Sequence, residues 1–256
     1  MPAMPRKSAP QLPPVTVSEL DGVRMLHLGT PWVQGAMRVK KPDEIELEYV
    51  QRMMAWMLFR PAEALTHGHA LQFGLGAAAI TKFCRRKLKM RTTAVELNPE
   101  VIAACRSMFR LPEDDTKLSV VQGDAAAYAA DPAHAGRAMV LCVDLYDHEA
   151  ASPVLDSAAF YADCHRLLGE GGVMTVNLFG RDASFERSVA LMAESFGEQS
   201  LWSLRPTREG NTVVVGLKGV EAPTRAVMAE RAERVEERFG LPARKWVRMI
   251  RKVKLE

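Results

Sequence analysis

The sequence predicts an open, doubly wound α/β fold: a mostly parallel sheet with helices on both faces, preceded by a small N-terminal β-hairpin region. Three observations point there. From residue 70 onward, short apolar runs alternate with segments of helical periodicity. The run 138–143 contains no polar residue, as expected of a strand covered on both faces in a parallel sheet. The chain has 256 residues, with 48% hydrophobic and 25% charged side chains, which suits one large core with appendages.

The elements follow in order. Residues 1–14 are proline-rich with some basic residues and read as a disordered lead-in. Residues 15–60 form the hairpin and a helix. Runs 23–28 and 32–39 flank Gly29-Thr30-Pro31, and Asp43 with Glu46 three positions on reads as a capping box for a helix over 44–59, which Pro61 ends. Residues 61–220 carry the main sheet. Strands are expected at 70–73, 92–95, 118–121, 138–143 and 173–178, and helices at 77–88, after Asn98-Pro99, at 160–168 and at 185–196. Runs 201–204 and 212–217 suggest a closing antiparallel pair. Residues 221–256 give a helix over 224–239, with Met228, Ala232, Val235 and Phe239 on one face, then a solvated basic tail.

Composition narrows the function classes. A formal charge of +3 is too small to imply a nucleic-acid partner, although Arg244, Lys245, Arg248, Arg251, Lys252 and Lys254 crowd one end. No run approaches the length needed to span a membrane. The residues Cys84, Cys105, Cys142 and Cys164 make no CxxC pair and sit mostly in apolar patterns, so buried reduced thiols and a cytoplasmic location are expected. Asp147, His148 and Glu149 are consecutive and cannot readily face one ion, so no metal is expected.

Four places carry chemistry. Gly74-Leu75-Gly76 follows a strand and opens a helix, where glycine lets the backbone approach a ligand, or simply packs a turn. Glu96 ends the next strand, 20 positions beyond Gly76. A carboxylate there can accept both ribose hydroxyls of an adenosine, or be an ordinary loop acid. Asp124, before Ala125, can accept from an adenine amino group, cap a helix, or do both. Asp144 ends the all-apolar strand, followed by Tyr146 and Asp147. A strand-end carboxylate facing the ligand can act as a base or hold an ammonium.

Together these elements resemble the spermidine synthase family of polyamine aminopropyltransferases, within the Rossmann-like class I S-adenosylmethionine-dependent methyltransferase fold. The resemblance rests on Ala94-Val95-Glu96-Leu97-Asn98-Pro99-Glu100-Val101, on Val121-Gln122-Gly123-Asp124-Ala125, and on Asp144-Leu145-Tyr146-Asp147. It runs from about Val23 to Lys218. It implies that Gln34, Gly74, Gly76, Glu96, Asp124 and Ala125 bind decarboxylated S-adenosylmethionine or S-adenosylmethionine itself. It further implies that Tyr49 contacts a small amine acceptor such as putrescine, that Asp144, Tyr146 and Asp147 serve the reaction, and that a homodimer can form. Two departures stand out. The family's glycine turn carries an Asp that holds the donor's ammonium, and here that position is Gly76. No proline follows Asp147. A methyltransferase, or a non-catalytic nucleoside- or RNA-binding relative, is the alternative.

Overall fold

The computed structural model describes residues 12–145, 155–179 and 182–255. Strands β1 (Val15–Leu20), β2 (Val23–Leu28) and β3 (Gly35–Arg38) form a small antiparallel sheet in that order. Asp21 and Gly22, both left-handed at φ 52 and 74, make the tight turn that joins β1 to β2. The expected strand 32–39 is thus shorter, and β1 is an addition to the hairpin.

The capping box at Asp43 and Glu46 does not form. Asp43 accepts from Arg86 at 2.7 Å and Glu46 pairs with Arg38 at 2.6 Å, so neither carboxylate is available to a helix end. Helix α1 starts later and is short (Glu48–Met53), tightening at once into a 3-10 run, Met54–Leu58. The apolar stripe is core as expected: Met53, Met54, Trp56, Met57 and Leu58 are fully buried.

The main sheet comprises β4 (His69–Phe73), β5 (Arg91–Glu96), β6 (Leu118–Gln122), β7 (Ala138–Val143), β8 (Leu168–Phe179), β9 (Leu201–Leu204), β10 (Asn211–Leu217) and β11 (Ile250–Lys252). Its order is β11-β9-β10-β8-β7-β4-β5-β6. The pairings β6–β5, β5–β4, β4–β7 and β7–β8 are parallel, and β8–β10, β10–β9 and β9–β11 are antiparallel. The apolar run of β7 has a direct cause. Val140 and Cys142 face one core, while Leu141 and Val143 face the other, so every position on the strand but the half-buried Met139 is shut off from water.

The helices are α2 (Ala79–Lys82), α3 (Pro99–Met108), α4 (Ala125–Ala130), α5 (Ala158–Leu167), α6 (Asp182–Phe196), α7 (Arg225–Phe239) and α8 (Ala243–Met249). One sheet face is covered by α1, its 3-10 run, α7 and α8, the other by α5 and α6. Helix α2 continues into a π turn, Phe83–Lys87. Asn98 caps α3, accepting from Glu100 N–H at 2.9 Å, with Pro99 in the first turn as expected. Gly240, left-handed at φ 70, ends α7. The residues beyond it are not a free tail. Ala243, Trp246, Val247 and Ile250 are buried, and β11 extends the sheet beyond β9, while the six basic side chains of this segment stay exposed.

Candidate active site

Strands β4, β5, β6 and β7 open at their carboxyl ends onto one cavity of about 680 Å³. Strand β4 has β5 on one side and β7 on the other, so successive connections leave it in opposite directions. The crevice at that reversal is where open α/β sheets bind ligands.

The glycine turn forms one wall. Gly74 has φ +80, and a Cβ there would lie 2.1 Å from the Asp144 carbonyl oxygen. Only glycine permits both the left-handed backbone and that approach. The turn is tied from beneath. The Gln72 amide donates to the Gly74 and Leu75 carbonyls at 2.6 and 3.4 Å, and the Thr81 hydroxyl donates to Gln72 at 2.5 Å. The Cys105 thiol donates to the Gly76 carbonyl at 3.0 Å. The small sheet docks here: a Cβ on Gly35 would lie 2.3 Å from Ala77 N. That contact brings Gln34 to the cavity beside Gly76.

Glu96 sits at the end of β5, with its carboxylate held at both oxygens. Leu75 N–H donates to Oε2 and Asn98 N–H to Oε1, each at 2.8 Å. Burial raises its pKa, and the backbone N–H groups of Asn98, Leu75 and Leu97 pull it back. Each oxygen keeps lone-pair capacity for a further donor from the cavity. Asp124 caps α4, accepting from Ala127 N–H at 2.8 Å, and lines the cavity with Ala125.

Asp144 lies across the cavity, at the end of β7. Asn177 on β8 donates to its Oδ1 at 2.9 Å, and the Tyr49 hydroxyl on α1 donates to its Oδ2 at 3.3 Å. Burial pushes its pKa up to about 6, against the opposing effect of those two donors. A carboxylate poised there is ionised at neutral pH yet basic enough to take a proton.

All the expected residues that the structure describes line this cavity: Gln34, Tyr49, Gly74, Gly76, Glu96, Asp124, Ala125 and Asp144. Tyr146 and Asp147 lie outside the described residues. Five further polar side chains line it that were not anticipated as site residues, namely Glu48, Asn98, Asn177, Glu209 and Asn211. The signal for Asn177 was present: it is a lone amide inside an otherwise apolar strand core, Val173 to Leu178, apart from Thr175. Glu209 lies in the β9–β10 turn and Asn211 opens β10, and no local pattern ties either to the site.

No family profile matches the chain. A polyamine aminopropyltransferase of Neisseria meningitidis serogroup A is 31% identical over 239 residues, covering 93% of this chain and 88% of the relative. The chain belongs to the polyamine aminopropyltransferase family. These proteins are transferases, and a second aminopropyltransferase, from Chromobacterium violaceum, is 29% identical over 96% of this chain and 92% of its own length. Solved structures agree on the fold of this family member. A probable spermidine synthase of Corynebacterium glutamicum superposes with a TM-score of 0.73 at 18% identity, covering 96% of this chain and 93% of that one. Human methyltransferase-like protein 13, solved with SAH, gives 0.67 at 22% identity over 76% of this chain and 93% of that one. Among the described residues, no helix of this aminopropyltransferase family member is long and apolar enough to cross a membrane.

Proposed function

We propose that this protein transfers the aminopropyl group of decarboxylated S-adenosylmethionine to a polyamine acceptor such as putrescine. The observation that carries the reading is the pairing of a buried Asp144, aligned by Tyr49 and Asn177, with a nucleoside-sized wall of Gly74, Glu96 and Asp124 across the same cavity. Glu96 would accept the ribose hydroxyls and Asp124 the adenine amino group. The acceptor's neutral amine attacks the carbon beside the sulfonium. The new N–C bond forms as the C–S bond breaks, and the sulfonium leaves as a neutral thioether. Asp144 takes the proton that the nitrogen loses. Tyr146 and Asp147 are proposed to join it at the acceptor end, where Glu48 and Glu209 add negative charge suited to a polycation. Holding both reactants in line supplies much of the acceleration, and no covalent intermediate on the protein is needed.

The described cysteines Cys84, Cys105, Cys142 and Cys164 are buried and unpaired, which suits the cytoplasm as the proposed location. Methyl transfer from S-adenosylmethionine is the second reading, and Gly76 favours it, since the turn has no carboxylate to repel the methionine carboxylate.

Calorimetric titration with the two donors separates these readings. Tighter binding of the decarboxylated form, followed by aminopropyl transfer to putrescine, is the expected result. Preference for the carboxylated form would replace the proposal with methyl transfer. Glu96→Ala is expected to weaken donor binding about 10- to 100-fold, the loss of one or two hydrogen bonds to a charged acceptor. Unchanged affinity in the same titration would place the ribose elsewhere.

A further inference from the structure

Asp144 does not end its hydrogen bonding at Asn177. Asn177 is only 4% exposed, and its carbonyl oxygen accepts from the Asn211 amide at 3.2 Å. The Asn211 carbonyl oxygen in turn faces the Thr207 hydroxyl at 3.5 Å, and that hydroxyl accepts from Asn211 backbone N–H at 3.2 Å. The Thr207 backbone N–H donates to the Asn211 backbone carbonyl at 2.8 Å, which closes the turn on itself. A continuous file of side chains therefore runs from Asp144 to the β9–β10 turn.

We propose that Asn211 and Thr207 are positioning residues, which act through Asn177 to keep an N–H aimed at Asp144 Oδ1 and so leave the lone pair of Oδ2 that Tyr49 does not engage for the proton of the reacting amine. The inference deepens the aminopropyl-transfer reading and rests on it for the role of Oδ2. The argument is one of polarity. A primary amide has one donating end and one accepting end. A carboxylate accepts only, so Asn177 must turn its NH₂ toward Asp144, which leaves its carbonyl in need of a donor. Asn211 supplies that donor, and its own carbonyl then faces the Thr207 hydroxyl. Each link is satisfied in one direction only. Reversing Asn177 alone would set oxygen against oxygen at Asp144, and nitrogen against nitrogen at Asn211.

The file has a second consistent direction, which arises when Asp144 carries a proton. Asp144 then donates to Asn177, Asn177 to Asn211 and Asn211 to Thr207. The single hydrogen of the Thr207 hydroxyl, shared between Asn211 Oδ1 and the Glu209 carboxylate in the first direction, then goes wholly to Glu209, which is held below the usual carboxylate range by its own backbone N–H and then by Thr207. The state of the base and the polarity of the file thus change together.

The groups around Asp144 come from several elements. Tyr49 faces it from α1, Asn177 from β8 and the Cys142 thiol from β7, while Glu48, Glu96, Asp124 and Glu209 line the same cavity. Among the described cavity-lining residues there is no Lys or Arg, so the donors opposing burial are hydrogen bonds.

The test is a pH titration of the full chain labelled with ¹³C at aspartate carboxyls, the Asp144 signal being the one lost in Asp144→Asn, run beside the pH–rate profile of transfer to putrescine. Asn211→Leu leaves the Asn177 carbonyl without its donor and is expected to raise the Asp144 titration by about half a pH unit. Asn211→Asp draws the Asn177 N–H away and is expected to raise it by about one unit or more. Thr207→Val, an isosteric change at the turn, should give a smaller rise in the same direction and serves if either Asn211 variant fails to fold. Wild-type titration in Asn211→Leu and Thr207→Val would overturn the proposal, even with a shift in Asn211→Asp, since that shift would then be charge acting at a distance. If the carbon titration moves as expected but the wild-type protein transfers no aminopropyl group, the relay stands and the proposed reaction falls.

Discussion

Asp144→Asn is expected to reduce transfer about 10²- to 10⁴-fold while making the fold more stable, two effects of opposite sign from one atom pair. The first is loss of the proton acceptor. An asparagine keeps the size of the side chain and can still face Asn177 through its carbonyl, but it takes no proton from an amine. The second follows from linkage. The Asp144 carboxyl titrates at about 6 in the folded protein against an ordinary value of 3.8, so the folded state holds its proton more tightly than the unfolded chain. The contribution to stability is then fully present below the unfolded value and is lost as pH rises through about 6. At neutral pH the ionised carboxylate is a net cost, and its removal should stabilise the fold by about 2 kcal/mol. Chemical denaturation of both proteins at pH 7 and pH 5 checks this, because the gap between them should shrink on acidification. Wild-type turnover should fall on the acid side of about 6 for the same reason. A variant that is inactive but no more stable at pH 7 would mean that Asp144 is better solvated than its burial suggests.

Gly74→Ala is expected to be the most disruptive single methyl in the molecule. The new carbon would sit 2.1 Å from the Asp144 carbonyl oxygen, a backbone atom that cannot swing aside, and φ +80 is strained for any L residue. A loss of about 3 kcal/mol or more is expected, lowering the thermal midpoint by roughly 6–12 °C. Gly240→Ala is the matched control: its φ is +70 and nothing lies within 4 Å of the added carbon, so it carries only the backbone strain. A thermal shift for Gly74→Ala no larger than the control's would show that strands β4 and β7 can part without cost. The expected shift would show instead that the glycine turn and the proposed base share one rigid joint.

The sheet was legible because its central strands bury both faces. Runs such as 138–143 leave no doubt about their surroundings, and the Asn98-Pro99 start of α3 is a local signal that the fold obeys. The misses have tertiary causes. Asp43 and Glu46 have the spacing of a capping box, but Arg86 and Arg38 compete for the two carboxylates and win. Asp21-Gly22 is a strong hairpin signal whose first strand follows directly on the proline-rich lead-in in sequence, where β character was easy to overlook. The basic end is amphipathic only in three dimensions: Trp246 and Ile250 turn inward while Arg248 and Arg251 stay outside. Within the site, Glu96 and Asp144 stand at strand ends, where a one-dimensional reading can find them. Asn211 reaches Asp144 only through Asn177, a path that exists because β10 pairs with β8.

That pairing divides labour across the sheet. Gly74, Glu96 and Asp124 come from the ends of β4, β5 and β6, and Asp144, Asn177 and Asn211 from β7, β8 and β10, with the strand reversal between them. Substitutions in the β8–β10 hairpin are then expected to alter the proposed chemistry while leaving the proposed nucleoside wall in place, and substitutions in that wall to spare the chemistry. The seam at β4 and β7, where Gly74 meets the Asp144 carbonyl, ties the two halves together.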